Sequence, residues 1–146
     1  MKTSIIKISG YIIIFTFILL LSPQCKKDKN NTIPYAYVNF SIIPSSTQYN
    51  NLGVVGGWAY VTGGVRGIIL YHESTDQFMA YERDCPYQPL NTCALVKVEK
   101  NGVEAIDSCC GSQFLLLDGS PVKGPATVSL KQYTTSFDGT TLTVTN

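Results

Sequence analysis

The sequence is poor in histidine and in charged side chains. One histidine among 146 residues, His72, excludes any site that needs two imidazole ligands from a single chain. Charged residues make up 14% of the chain and the formal net charge is +1, so there is no broad basic surface and we expect no nucleic-acid partner. The composition is also unlike that of a disordered tail, a collagen repeat or a coiled coil. A chain of this length is expected to form one domain.

Sequence patterns that carry hydrolytic or phosphoryl-transfer chemistry are missing as well. Ser112 lies in no Gly-x-Ser-x-Gly frame, and the glycine-rich stretch 53–64 lacks the Lys-Ser/Thr pair of a phosphate-binding loop. His72 lies in a polar segment, where we expect a solvated loop side chain. No constellation of residues supports a hydrolase or a transferase, and we expect a protein that is not an enzyme.

The start of the chain predicts a secretory signal peptide over residues 1–24. Lys2 and Lys7 make it basic, and Tyr11 to Leu21 is an apolar run that only a threonine interrupts. Such a run spans roughly 16 Å as a helix, about half of a bilayer core. That length is typical of a signal segment rather than of a transmembrane helix.

Cys25 follows this segment and resembles the acceptor cysteine of a bacterial lipoprotein signal, with Gln24 at a position where Gly, Ala or Ser is usual. Lipid chains on Cys25 would anchor the protein, since each buried methylene contributes about 0.8 kcal/mol. Residues 25–34 are then a lipid-anchored tether to a domain of residues 35–146. The expected location is the bacterial cell envelope, on the periplasmic or surface face of the outer membrane. A plain secreted protein or a membrane-anchored signal segment is the alternative.

Four cysteines remain once Cys25 is acylated: Cys85, Cys93, Cys109 and Cys110. An exported protein folds in an oxidising compartment, where an even number of cysteines favours disulfides. The adjacent Cys109 and Cys110 are not expected to bond each other, because the geometry is strained. Two pairings then remain open. They are Cys93–Cys109 with Cys85–Cys110, and Cys85–Cys109 with Cys93–Cys110.

Alternating apolar residues and turn signals predict an all-β domain. Residues 96–99 alternate apolar and charged side chains, and Asn101-Gly102 then gives the strongest short hairpin signal. Asp118-Gly119 and Asp138-Gly139 predict two further turns, and Thr127–Leu130 is predicted as one of the last strands. No stretch of the mature chain is a convincing amphipathic helix. The predicted fold is an antiparallel β-sandwich or small barrel.

Two segments resemble the cluster-binding loops of Rieske iron–sulfur domains. The first is residues 81–90, and the second, residues 107–126, carries most of the likeness. The family shows a Gly-Ser box, an aromatic residue, an Asp-Gly turn and a Gly-Pro-Ala step. This chain matches them at Gly111-Ser112, Phe114, Asp118-Gly119 and Gly124-Pro125-Ala126. The resemblance covers residues 35–146 and implies a Rieske-like fold whose two loops form a subdomain of the cluster-binding type.

The positions that hold the cluster in the family carry different side chains here. A Rieske cluster is bound by two cysteines on one iron and two histidines on the other. The matching positions are Cys85 and Tyr87 in the first loop and Asp107 and Cys110 in the second. Since His72 lies outside both loops, a two-histidine centre cannot form within one chain. The resemblance therefore implies a degenerate site with no cofactor, and an atypical [2Fe-2S] cluster or another metal is the alternative.

Many respiratory-type members of the family also link the two loops by a disulfide, and one of its cysteines matches Cys109. Cys93 lies close to the partner position, so the resemblance implies Cys93–Cys109 and leaves Cys85 and Cys110 for a second bond. We therefore expect a membrane-anchored, non-catalytic structural or interaction module with a partner in the cell envelope. The alternative is a Rieske-type electron-transfer protein or oxidoreductase subunit with an atypical cluster or redox-active disulfides.

Overall fold

The computed structural model describes residues 32–146, which form ten strands and one short 3₁₀ helix. In chain order these elements are β1 (Asn39–Ile42), the 3₁₀ helix (Thr47–Gly53), β2 (Trp58–Val61), β3 (Ile68–Ser74), β4 (Gln77–Glu82), β5 (Val96–Val98), β6 (Glu104–Asp107), β7 (Gln113–Leu115), β8 (Pro121–Lys123), β9 (Gln132–Phe137) and β10 (Leu142–Thr145). The predicted all-β class is confirmed. The predicted signal peptide and the lipid-acceptor cysteine Cys25 lie outside the described residues.

The strands form two antiparallel sheets. The larger sheet has six strands in the order β1-β10-β9-β4-β3-β2 and curls into a half-barrel. The smaller sheet has four strands in the order β5-β6-β7-β8 and is an uninterrupted meander. The smaller sheet is therefore an insertion between β4 and β9 of the larger one. The described part of the chain holds no helix with the length and hydropathy that a membrane crossing requires.

Three predicted turns connect the strands where the sequence places them. Asn101-Gly102 joins β5 to β6, with Gly102 at φ +72°, and the Asn101 side chain accepts the main-chain N–H groups of Val103 and Glu104 at 3.1 and 3.2 Å. Asp118-Gly119 joins β7 to β8, and Asp138-Gly139 joins β9 to β10. A left-handed backbone is accessible to glycine at little steric cost, which is why these dipeptides determine the hairpins.

β3 is buried on both faces and separates two apolar cores. Ile69 and Tyr71 point into the core between the sheets, whereas Ile68 and Leu70 point into the core inside the half-barrel. This alternation follows from the two-residue period of a strand. The core between the sheets also contains Cys85, together with Tyr81, Ala94, Val96, Ala105, Phe114, Leu116, Ala126 and Leu130.

Two local expectations are wrong. Residues 127–130, predicted as a strand, run irregularly between β8 and β9. The Ala126 N–H just before this segment donates to Ser112 Oγ at 2.9 Å, and the Leu130 N–H at its end donates to the Gly119 carbonyl at 3.0 Å, so neither group belongs to a ladder. His72, expected in a solvated loop, lies in β3 and is only 7% exposed.

Candidate functional site

Two loops and the end of β6 bring the predicted site residues together. Loop 1 (residues 83–95) joins β4 to β5, and loop 2 (residues 108–112) joins β6 to β7. Loop 1 is closed at its base by an isolated bridge between Asp84 and Leu95. Loop 2 is a tight turn, because the Gly111 N–H donates to the Asp107 carbonyl at 2.7 Å.

A disulfide between Cys93 and Cys109 joins loop 1 to loop 2. Their Cα atoms are 5.5 Å apart and their positions differ by 16 in sequence, within the usual Cα range for a disulfide. This confirms the Cys93–Cys109 bond of the first pairing that the sequence left open, and it excludes the second pairing, Cys85–Cys109 with Cys93–Cys110. Both half-cystines lie at the exposed surface of the loops.

The remaining two cysteines are free thiols that face each other beneath this bond. Cys85 is fully buried and Cys110 is half-buried, and their sulfur atoms lie 3.9 Å apart. The second predicted bond, Cys85–Cys110, is therefore not formed in this structure and stays a prediction. Asp107 completes the group, since one donor atom from each of Cys85, Asp107 and Cys110 lies within 4.8 Å of the others.

Asp107 connects the end of β6 to both the main chain and a sulfur of loop 2. Its Oδ1 accepts the Cys109 main-chain N–H at 2.9 Å, and its Oδ2 lies 3.2 Å from the Cys110 sulfur, which donates to it as a thiol. The carboxylate is 1% exposed. It therefore shapes loop 2 in the manner of an Asx turn and also offers a buried oxygen to anything held between the sulfurs.

Tyr87 takes part through its main chain and through packing. Burial raises the pKa of the Cys85 thiol well above its ordinary value, and the nearby Asp107 carboxylate acts in the same direction. The main-chain N–H of Tyr87 donates toward the Cys85 sulfur and acts in the opposite direction. The Tyr87 side chain packs, half-buried, against the core between the sheets.

Arg66 holds loop 1 from the turn between β2 and β3, a role that the sequence analysis missed. Its guanidinium donates to the carbonyls of Asn91 and Thr92 at 2.7 and 2.8 Å, and its Nε lies 3.0 Å from Asp84 Oδ1. Burial raises the pKa of Asp84 to about 6, while the Arg66 charge acts to lower it. One arginine thus ties the start and the far end of loop 1 to the larger sheet.

Glu82 holds that turn in place and was also missed. Its Oε2 accepts the Val65 N–H at 2.7 Å and the Tyr133 hydroxyl at 2.7 Å. Its Oε1 accepts the Arg66 and Asp84 N–H groups at 2.9 and 3.1 Å. The side chain is fully buried. Because all four partners donate, both oxygens must accept, so the carboxylate is an organising centre for the turn that carries Arg66.

The single histidine, His72, makes its contacts away from the two loops. His72 Nδ1 lies 2.9 Å from the Leu52 carbonyl oxygen, and since a carbonyl only accepts, Nδ1 carries the hydrogen. The ring stacks on Phe78 with centroids 4.2 Å apart, and Phe78 belongs to the core inside the half-barrel. Cys85, by contrast, belongs to the core between the sheets.

These residues do not fit a Rieske cluster. One iron of such a cluster takes two histidine nitrogens, and the only histidine of the chain, His72 in β3, is hydrogen-bonded to the Leu52 carbonyl in the 3₁₀ helix. The positions that match the histidine ligands hold Tyr87 and Cys110. The three donors that the loops do bring together lie close enough to share one small ion, with no imidazole among them.

Comparisons with known proteins assign no function to this arrangement. No protein-family model matches the chain, and the search of curated proteins finds no match either. The likeness to Rieske domains therefore rests on the residues of the two loops in the sequence alone.

Proposed function

We propose that this protein is a lipid-anchored, Rieske-like module of the bacterial cell envelope that carries no [2Fe-2S] cluster and acts as a non-catalytic structural or interaction domain. The observation that carries the proposal is the loop pair. Two loops whose residues resemble the cluster-binding loops of Rieske domains are cross-linked by Cys93–Cys109, and no histidine lies in either of them.

The arrangement of the loops supports a structural role over a catalytic one. Loop 1 is fixed at both ends by Arg66, and loop 2 is fixed by Asp107. A nucleophile would need a base within hydrogen-bond reach. His72 belongs to the other core, and burial, together with Asp107, raises the pKa of the Cys85 thiol, which disfavours the reactive thiolate.

The thiol pair itself favours a second candidate, an electron-transfer or oxidoreductase subunit that uses an atypical cluster or a redox-active disulfide. Cys85 and Cys110 are close enough for either chemistry. Full burial of Cys85 opposes the disulfide form of this candidate, because thiol–disulfide exchange requires access of an attacking sulfur. The two candidates differ in whether the protein accepts electrons.

Visible absorbance and electron paramagnetic resonance separate the two. The full chain is purified in detergent without air, and spectra are recorded before and after dithionite is added. The proposed function predicts a colourless protein with no paramagnetic signal. A coloured protein with an iron–sulfur signal after reduction contradicts it and establishes the electron-transfer candidate.

Lipid anchoring is tested separately by cell fractionation and by incorporation of labelled palmitate. We expect the wild-type chain to carry the label and to sediment with membranes. Cys25→Ala removes the acceptor thiol, so it should carry no label. Cys93→Ala is the matched control, because it also removes one cysteine but leaves the acceptor. Equal labelling of Cys25→Ala and wild type would contradict the anchor.

A further inference from the structure

The three donors of the loop pair have the spacing of a single-ion site. Two thiolates bound to one tetrahedral zinc ion at about 2.3 Å are separated by about 3.8 Å, and the sulfurs of Cys85 and Cys110 are 3.9 Å apart. A carboxylate oxygen on the same ion lies about 3.6 Å from each sulfur, whereas Asp107 Oδ2 is 3.2 Å from the Cys110 sulfur. For these two pairs a shift of a few tenths of an ångström reaches the bound distances, and the third pair, Asp107 with the Cys85 sulfur, lies within 4.8 Å.

Groups around the sulfurs are arranged to donate to them. The Tyr87 N–H points toward Cys85 Sγ, and the Ser112 N–H lies 3.5 Å from Cys110 Sγ. The Ser112 hydroxyl lies 3.1 Å from the same sulfur, and its oxygen already accepts the Ala126 N–H at 2.9 Å. Its own hydrogen is therefore free to turn toward a thiolate. Donors of this kind orient metal ligands and tune their basicity.

The two cysteine pairs of the loops differ in state, since one pair forms a disulfide and the other pair consists of free thiols. Cys93 and Cys109 are bonded at the exposed surface, while Cys85 and Cys110 remain at the distance of two ligands on one ion. The surface bond fixes loop 1 to loop 2 and so holds donors from both loops in place before any ion arrives. Such prior fixing lowers the ordering cost of binding.

We propose that Cys85, Cys110 and Asp107 bind one thiophilic divalent cation of the zinc class. Two sulfurs and one oxygen are a set that suits zinc better than magnesium or calcium, which take oxygen ligands. Three protein donors leave one tetrahedral position for water or an external ligand, on the side where Cys110 is half-buried rather than covered. The proposal rests on the donor geometry. It concerns one metal ion and not a two-iron cluster, so it is compatible with the proposed function.

Zinc and cobalt binding to the full chain test the site. The protein is purified in detergent without air or added reductant, and non-reducing mass spectrometry confirms that Cys93–Cys109 is intact. We expect one zinc per chain by elemental analysis. We also expect cobalt(II), a spectroscopic substitute for zinc, to give visible d–d bands and a near-ultraviolet sulfur-to-cobalt charge-transfer band that added zinc removes.

Cys110→Ser is the decisive variant, because Cys110 is half-buried and tolerates the change better than Cys85. It should lower zinc affinity at least tenfold and abolish the charge-transfer band from that sulfur. The matched control is Ser108→Ala, which alters the same loop at an exposed side chain that contributes no donor. It should bind zinc as the wild type does. Equal zinc affinity of Cys110→Ser and Ser108→Ala overturns the proposal.

X-ray absorption at the zinc edge keeps the test independent of variant folding. The wild-type protein should show two sulfur neighbours at about 2.3 Å and oxygen at about 2.0–2.2 Å. A zinc shell without sulfur overturns the proposal. Wild-type protein that binds no zinc, or that is isolated with a Cys85–Cys110 disulfide, also overturns the proposal. An iron–sulfur spectrum would instead contradict the proposed function, so the two failures are distinguishable.

Discussion

Replacing Glu82 by glutamine tests the claim that one buried carboxylate organises the turn above loop 1. In the wild type, both carboxylate oxygens accept two hydrogen bonds each. Glutamine has the same shape but offers one oxygen and one NH₂ group. Whichever way the amide is placed, its NH₂ faces at least one main-chain N–H, and two donors cannot pair.

The size of the effect follows from that mismatch. A buried donor left without a partner costs about 1–3 kcal/mol, and the remaining hydrogen bonds lose the strength that a charged acceptor gives them. We therefore expect Glu82→Gln to lower the free energy of unfolding by about 2–4 kcal/mol. Within a domain stability of about 5–15 kcal/mol this is a large fraction.

Urea unfolding followed by tryptophan fluorescence measures this change, since Trp58 in β2 is the only tryptophan and packs against the core between the sheets. The midpoint and slope give the free energy of unfolding. Glu99→Gln is the matched control, because it removes the same charge at a half-buried side chain outside this network. A Glu82→Gln protein within about 0.5 kcal/mol of this control would refute the reasoning, because surface substitutions alone reach that size.

Three further changes probe other parts of the account. The double variant Cys93→Ser, Cys109→Ser removes a disulfide that spans 16 positions. We expect its free energy of unfolding without reductant to fall by about 3 kcal/mol. Equal urea midpoints for the variant and the wild type would contradict a stabilising role for the disulfide. Gly64→Ala should lower the thermal midpoint, because Gly64 has φ +63° and an added methyl would collide with the Glu82 carboxylate; an unchanged midpoint would contradict this packing. Asp138 accepts two main-chain N–H groups, which hold the pKa of its carboxyl below the ordinary value of 3.8. The stability that these hydrogen bonds contribute is therefore full above pH 3.8 and is lost as pH falls through the lowered pKa. A carboxyl titration midpoint at or above 3.8, measured by carbon-13 NMR, would contradict this.

The hairpins were predictable from the sequence because local signals determine them. Asn101-Gly102 and Asp138-Gly139 supply both a left-handed backbone and a side chain that caps the turn, and these depend on neighbouring residues alone. The link between Cys93 and Cys109 needed the family resemblance in addition, since spacing left two pairings open.

The supports of the loops were not predictable in this way. Arg66 and Glu82 act across 25 and 17 positions of sequence, and neither lies in a motif. His72 lies among polar neighbours in sequence, yet its strand is covered on both sides, so burial could not be inferred from composition. Thr127–Leu130 has the residue types of a strand, but the N–H groups just before it and at its end bond to Ser112 and Gly119 instead of to a ladder.

Iron and acid-labile sulfide analysis of the full chain, purified without air, tests the central claim most directly. The claim is that the loops of a Rieske-like domain are retained here without the cluster, because the ligand positions hold Tyr87, Asp107 and Cys110 beside Cys85. We predict no acid-labile sulfide and no stoichiometric iron in protein whose Cys93–Cys109 bond is intact. Two irons and two sulfides per chain would contradict the account.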